Sequence, residues 1–166
     1  MPTRSQILRK EKIISTLVEI RQNILAEASS LSDSEKDCIF LGIWSIKDLL
    51  AHLTGWDYTN LDAIKSVLEG GIPSFYEHHD HDWQTYNAML VKKHKRDSFK
   101  ELIATVRASQ KTLVEFLQTI PPENFNKDFG VRFRGYKVTV QRLLEAEAKD
   151  EQIHHNQITG FFKESQ

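Results

Sequence analysis

The sequence has little of what several large protein classes require. Cys38 is the single cysteine in 166 residues, which excludes the intrachain disulfides that stabilise many small secreted domains. No apolar run reaches the roughly 18 residues that a transmembrane helix needs. Residues 1–12 carry four positive charges beside one glutamate and lack the apolar stretch of a signal peptide. We therefore expect a cytoplasmic protein that has no membrane partner.

An excess of charge of one sign is also missing. The chain has 22 basic and 23 acidic side chains, whereas a protein that binds the phosphate backbone needs clustered lysine and arginine. One basic run, at residues 92–96, is more simply a solvated helix end. The chain has no glycine-rich phosphate loop and no G-x-S-x-G element. These absences argue against a nucleic-acid partner, a nucleotide-dependent enzyme and a serine hydrolase.

Helical periodicity dominates what the sequence does contain. Hydrophobic residues make up 40% of the chain and recur at helical spacing through four long segments and one shorter one. Ser45 is a good N-cap, and Asp48 can complete its capping box. A break is expected at residues 31–35. The predicted helices cover residues 5–30, 46–69, 83–93 (the shorter one), 98–120 and 138–162.

These segments predict a single all-α domain over residues 1–166. Its architecture is a four-helix bundle with a long, partly helical connection between the second and third long helices. That connection, residues 70–82, holds three histidines and two aspartates at residues 78–82, which could bind a metal but are more simply a polar loop. Residues 123–137 read as irregular, with an extended piece at residues 131–133.

One constellation of residues could support chemistry. Asp150 and His154 are four residues apart, which places them on one face of the last helix, and His52 lies on the apolar stripe of the second long helix. Two imidazoles and a carboxylate from facing helices can hold one face of a divalent metal ion and leave positions open for water or substrate. The alternative is that His52 is a core histidine whose hydrogen bonds are satisfied.

Longer motifs resemble those of a known family. Residues 42–57, GIWSIKDLLAHLTGWD, resemble the helix-two signature of the DinB/YfiT-like superfamily, and residues 150–158, DEQIHHNQI, resemble its closing H-x-x-x-H-x-x-Q-I motif. Two weaker features are similar to the ClbS/DfsB branch of bacterial proteins: an entry into helix one at residues 2–5, PTRS, and a W-x-x-x-N element at residues 83–87, WQTYN.

The resemblance implies a role for each matching residue. His52 matches the first metal histidine of the superfamily and His154 the third, whereas Asp150 stands where the second histidine is expected. Carboxylates are legitimate ligands, so the implied cofactor is a divalent ion such as zinc, nickel, iron or manganese. Because the ClbS/DfsB branch includes members that lack the histidine triad, a metal-free protein is the alternative.

Neighbouring side chains are further candidates. Glu147 lies one turn before Asp150, and Glu151 lies three residues before His154, so either glutamate could orient a ligand or act as a catalytic base. The simpler interpretation is that both are exposed on the solvated face of a charged helix. Trp56 and Trp83 could line an apolar pocket, although aromatic residues at helical spacing more often belong to a core.

Three functions follow from these observations. The first is a metal-dependent hydrolase or thiol transferase of DinB type that acts on a reactive electrophilic small molecule, as in stress response or detoxification. The second is a metal-free, ClbS-like protein that binds a reactive metabolite and protects the cell from it. The third is a structural helical module whose exposed helix faces form a homodimer.

Overall fold

The computed structural model describes residues 1–78 and 83–164 and confirms an all-α fold. In these ranges, two 3-10 turns (Ser74–His78 and Pro122–Asn124) and two short strands, β1 (Arg132–Phe133) and β2 (Tyr136–Lys137), accompany the helices. Most of the predicted histidine-rich loop, residues 79–82, lies outside the described residues. The helices are α1 (Arg4–Ser30), α2 (Asp33–Asp37), α3 (Ile46–Leu68), α4 (Trp83–His94), α5 (Phe99–Thr119) and α6 (Val140–Glu164).

Short polar side chains begin the long helices, as the sequence indicates. The predicted capping box at α3 is present, because the Ser45 backbone N–H donates to Asp48 Oδ2 over 3.0 Å while the Ser45 hydroxyl accepts from the Asp48 backbone. Thr3 forms a capping box with Gln6 at α1, and at α5 the Ser98 hydroxyl accepts from the Glu101 backbone N–H. At α6 the Thr139 hydroxyl accepts from the Arg142 backbone N–H. Each cap satisfies backbone donors that would otherwise have no partner.

Of two predictions for the connecting segments, one needs correction and the other is confirmed. Residues 31–35 were expected to be a break, yet α2 occupies most of them, because Ser32 and Glu35 form their own capping box. The extended piece predicted at residues 131–133 is the first strand of a β-hairpin. Its two-residue turn is made by Arg134 and Gly135, both with positive φ, as the twist of a tight hairpin requires.

Four long helices form the bundle. α3 packs against α5 and α6, and α1 packs against α6 and α5, so the four helices close a ring around one core. α4 lies outside this ring, against α3. The core residues are aliphatic at helical spacing, which explains the tight packing of the four helices. Fully buried members include Ile24, Leu49, Leu50, Leu102 and Leu144.

The close approach of α4 to α3 depends on Gly55. A Cβ atom at this position would lie 2.7 Å from the Leu90 Cβ, which is too close for two carbon atoms. We expect Gly55→Ala to destabilise the protein by about 1–3 kcal/mol in urea unfolding, because α4 must shift to make room. The control is Gly160→Ala in α6, where no atom lies within 4 Å of the new Cβ. That change should stabilise the protein by up to about 1 kcal/mol, and equal gains from both substitutions would contradict the prediction.

None of the described helices is both long enough and apolar enough to cross a bilayer.

Candidate functional site

Two histidines face each other across the interface of α3 and α6. The ring centroids of His52 and His154 are 5.3 Å apart, and the rings are almost perpendicular, at 84°. The His52 side chain is 7% exposed and its ring lies between Trp44 and Trp56, with centroid distances of 4.7 and 6.3 Å. The fold therefore brings together the two histidines that the sequence singled out.

Both imidazoles are held in the neutral state. Burial, with smaller contributions from His154 and Arg21, lowers the pKa of His52 to about 3. Burial also lowers the pKa of His154, although hydrogen bonding to Gln157 and the charge of Asp150 oppose the shift. A neutral imidazole keeps a nitrogen lone pair, which a metal ion or a proton donor requires.

The ring nitrogens differ in their partners. His154 Nδ1 lies 2.8 Å from Gln157 Oε1, and because that oxygen can only accept, the proton is on Nδ1 and the lone pair is on Nε2. His52 Nδ1 is buried and has no hydrogen-bond partner among the described residues. A buried nitrogen without a partner costs about 1–3 kcal/mol, which a ligand would recover.

Asp150 lies on the same side of the bundle but is exposed. Partial burial raises the pKa of Asp150, and the neighbouring charges of His154 and Lys149 oppose this effect. The ligand atoms of His52, Asp150 and His154 do not all lie within 4.8 Å of one another. A metal site formed by these three residues therefore remains a prediction.

All three residues line one cavity with a volume of about 720 Å³. This volume is within the range of small-molecule sites, and seven of the 20 lining residues are aromatic. The ring centroids of Trp56 and Trp83 are 5.7 Å apart, and the Trp56 indole N–H donates to Asn87 Oδ1 over 2.8 Å. The two tryptophans predicted to form a pocket thus lie in its wall. The aromatic lining residues are Trp44, Trp56, Phe75, Tyr76, Trp83, Phe133 and Tyr136.

Behind the histidines lies a buried network of charges that connects four helices. Arg21 of α1 is 1% exposed, and its guanidinium donates to both oxygens of Asp57 on α3 over 2.9 Å. The same guanidinium pairs closely with Glu151 on α6. From α5, the Ser109 hydroxyl donates to Asp57 Oδ2 over 2.5 Å, and the Val106 carbonyl accepts from Arg21. The cation is therefore enclosed by ordered acceptors on three other helices.

Glu147 adds a third carboxyl group to this network. Burial, followed by the charges of Glu151 and Asp57, raises the pKa of Glu147 well above its usual range. The pKa of Glu151 is also raised by burial, but pairing with Arg21 opposes the shift. We therefore assign the proton of this cluster to Glu147, which leaves Arg21 as the cation between the two other carboxyl groups, Asp57 and Glu151. Both glutamates line the cavity.

The buried carboxyl groups of this network are a second possible metal site. Oxygens of Asp57, Glu147 and Glu151 lie within 4.8 Å of one another and are buried, so the three groups could hold an ion. The Arg21 guanidinium already lies against Asp57 and Glu151, where such an ion would bind. We therefore interpret this cluster as an internal ion-pair network whose cation is Arg21.

The expectation that Glu147 and Glu151 are solvent-exposed is wrong, because they are 8% and 1% exposed. The charge of α6 suggested a solvated face, but Arg21 supplies a buried partner. Sequence reasoning missed Arg21, and with it Asp57 and Ser109. A signal was present, since Arg21 occupies a core position of the apolar stripe of α1, between Leu17 and Ile24.

Comparison with known proteins identifies the family. The sequence profile of the DinB superfamily matches residues 16–158, most of the chain. A crystal structure of an uncharacterised protein from Escherichia coli UTI89 is similar in fold, with 15% sequence identity, a TM-score of 0.69 and coverage of 94% of each chain. No curated protein matches the sequence significantly. Because the profile covers far more than half of the sequence, the chain belongs to the DinB superfamily.

Proposed function

We propose that the protein is a metal-dependent enzyme that acts on a reactive, electrophilic small molecule held in the aromatic cavity. The observation that carries this proposal is the pair of neutral imidazoles, His52 and His154, facing each other at the cavity wall. A site with neutral histidines and a nearby carboxylate suits a divalent ion. The single cysteine supports the cytoplasmic location that is part of this proposal.

The available donors fit such an ion. His52 has an orphaned Nδ1, His154 has a free lone pair on Nε2, and Asp150 lies one turn before His154 on the same helix face. Zinc, nickel, iron and manganese all accept this set of ligands. When bound, the ion would supply Lewis acidity that activates water or a thiol for attack on the substrate.

The chain itself supplies binding and proton transfer. The aromatic wall would hold the apolar part of the substrate and exclude water from the reacting end. Glu147 keeps its proton at the cavity wall, where it can protonate a leaving group. Glu151 is committed to Arg21, so we assign it the role of positioning the network. Hydrolysis and thiol transfer are both compatible with these roles.

Elemental analysis of protein purified without a histidine tag tests the metal. We expect about one divalent ion per chain in the wild type and its loss in His52→Ala, since the other two ligands alone hold an ion weakly. The control is His155→Ala, which removes a half-buried histidine of α6 that does not line the cavity. A wild type that stays metal-free after incubation with each of the four ions would overturn the proposal.

A metal-free, ClbS-like protective protein is the second candidate. Two observations favour it: Asp150 is exposed, and the three ligand atoms do not converge within 4.8 Å. In that case the cavity would bind a reactive metabolite without a metal, and Glu147 would remain the proton donor. Ligand binding that is unchanged by a chelator, in a protein that contains no metal, would favour this second candidate.

A further inference from the structure

The charged side chains that line the cavity are segregated by sign. Lys137, at the end of β2, and Arg142, in the first turn of α6, lie at one end. The carboxyl groups on α6 follow later in the helix, at Glu147, Asp150 and Glu151. The cavity is therefore basic at the hairpin end and acidic at the histidine end.

The geometry of α6 gives the distance between the two ends. Arg142 and Asp150 are eight residues apart, which corresponds to about 12 Å along a helix that rises about 1.5 Å per residue. Leu143 and Ala146 line the cavity between Arg142 and the first carboxyl group, Glu147, so this part of the wall is apolar. A ligand that reaches from Arg142 to Asp150 would be about 12 Å long and would have an apolar part beside Leu143 and Ala146.

The basic side chains are available to a ligand. Arg142 Nη1 donates to the Lys137 carbonyl oxygen over 2.8 Å, which holds the guanidinium beside β2. Among the described residues, no carboxylate lies within ion-pair distance of Arg142. Lys137 Nζ lies 3.9 Å from an oxygen of Asp128, but that carboxylate is already bound by Arg132 through contacts of 2.8 and 2.7 Å.

We propose that the cavity selects amphipathic ligands that carry an oxyanion, such as a carboxylate or a sulfonate, at the end opposite the reacting group. Lys137 and Arg142 would bind the oxyanion, and the aromatic wall would bind the body. Among the described residues that line the cavity, only Lys137 and Arg142 are cationic, which favours this direction of the ligand. This inference rests on the proposed small-molecule cavity and adds the charge and the orientation of its ligand.

Two fluorescent probes of similar shape test the inference. 8-Anilino-1-naphthalenesulfonate carries a sulfonate, and N-phenyl-1-naphthylamine is its neutral counterpart. We expect the double substitution Lys137→Gln with Arg142→Gln to weaken binding of the sulfonate probe about fivefold to tenfold and to leave the neutral probe unchanged. Raising NaCl from about 20 mM to about 300 mM should weaken only the sulfonate probe.

Control variants separate charge from structure. Arg142→Lys keeps the charge and should retain sulfonate affinity to within about twofold. Lys100→Gln removes an exposed charge of α5, away from the cavity, and should have no effect. Equal losses for both probes in the double variant, or no loss for either, would overturn the inference. Failure of both probes to bind the wild type would count against the small-molecule cavity itself, whatever the charge of its ligand.

Discussion

Replacing Arg21 with methionine is expected to destabilise the protein by about 3–5 kcal/mol, the largest effect of any single substitution considered. The change removes the cation and leaves the carboxylates of Asp57 and Glu151 buried without a counter-charge. Methionine fills much of the same volume, so the loss reports on charge more than on packing. Urea unfolding at neutral pH measures it as a lower midpoint.

The pH dependence of the stability loss in Arg21→Met identifies the cause of that loss. Burial raises the pKa of Glu151, so protonation of this group removes part of the uncompensated charge, and the stability loss of Arg21→Met should shrink as the pH falls from 7 towards 5. A cavity or a packing defect would persist at both pH values. The control is Arg9→Met on the exposed side of α1, which should change stability by less than about 0.5 kcal/mol. If Arg21→Met unfolded at the same urea concentration as the wild type, the assignment of Arg21 as the internal cation would be contradicted.

Replacing Glu147 with glutamine is expected to stabilise the protein, and more so at higher pH. The folded state raises the pKa of Glu147 well above the ordinary value of 4.5, so the folded protein retains a proton that the unfolded chain releases. This contribution to stability is complete at low pH and is lost as the pH rises towards the folded pKa. The slope is up to about 1.4 kcal/mol per pH unit. Glutamine has a similar shape, carries no charge at any pH and lacks this slope.

Unfolding curves between pH 5 and pH 7 test the second prediction. The difference in stability between Glu147→Gln and the wild type should grow across that interval, by at most about 2.7 kcal/mol, the limit for one proton over two pH units. Glu11→Gln, an exposed change on α1, is the control and should follow the wild type. Parallel curves for Glu147→Gln and the wild type would mean that Glu147 does not hold the proton, and its proposed role as a proton donor would be lost with it.

The helices and the histidine pair could be predicted from the sequence, whereas the buried charge network around Arg21 could not. The bounds of α3 follow from Ser45, Asp48 and an apolar stripe that lie close together in the sequence. His52 and His154 could be assigned to one site from their positions on the helices and from the motif resemblance. Whether Glu147 is buried, however, depends on Arg21, more than a hundred residues earlier. Periodicity identifies a face of a helix, but it does not show which partner that face meets.

Asp150 is a second example of what helical spacing does not predict. Asp150 and His154 are four residues apart in α6, and both line the cavity. Spacing does not determine how far a short carboxylate reaches, and Asp150 is exposed. The size of the cavity was also beyond prediction, because its wall includes Phe133 from a hairpin of which the sequence predicted only an extended piece at residues 131–133.

The hairpin has a consequence for how this protein could diversify. Phe133 and Lys137 form part of the cavity wall, and Tyr76 stacks on Phe133 at 4.3 Å, yet both strands lie outside the four-helix ring. Substitutions or insertions at the Arg134–Gly135 turn could reshape the cavity entrance without disturbing the helix core or the Arg21 network. Ligand preference and thermodynamic stability could therefore evolve largely independently, through different segments of the same small chain.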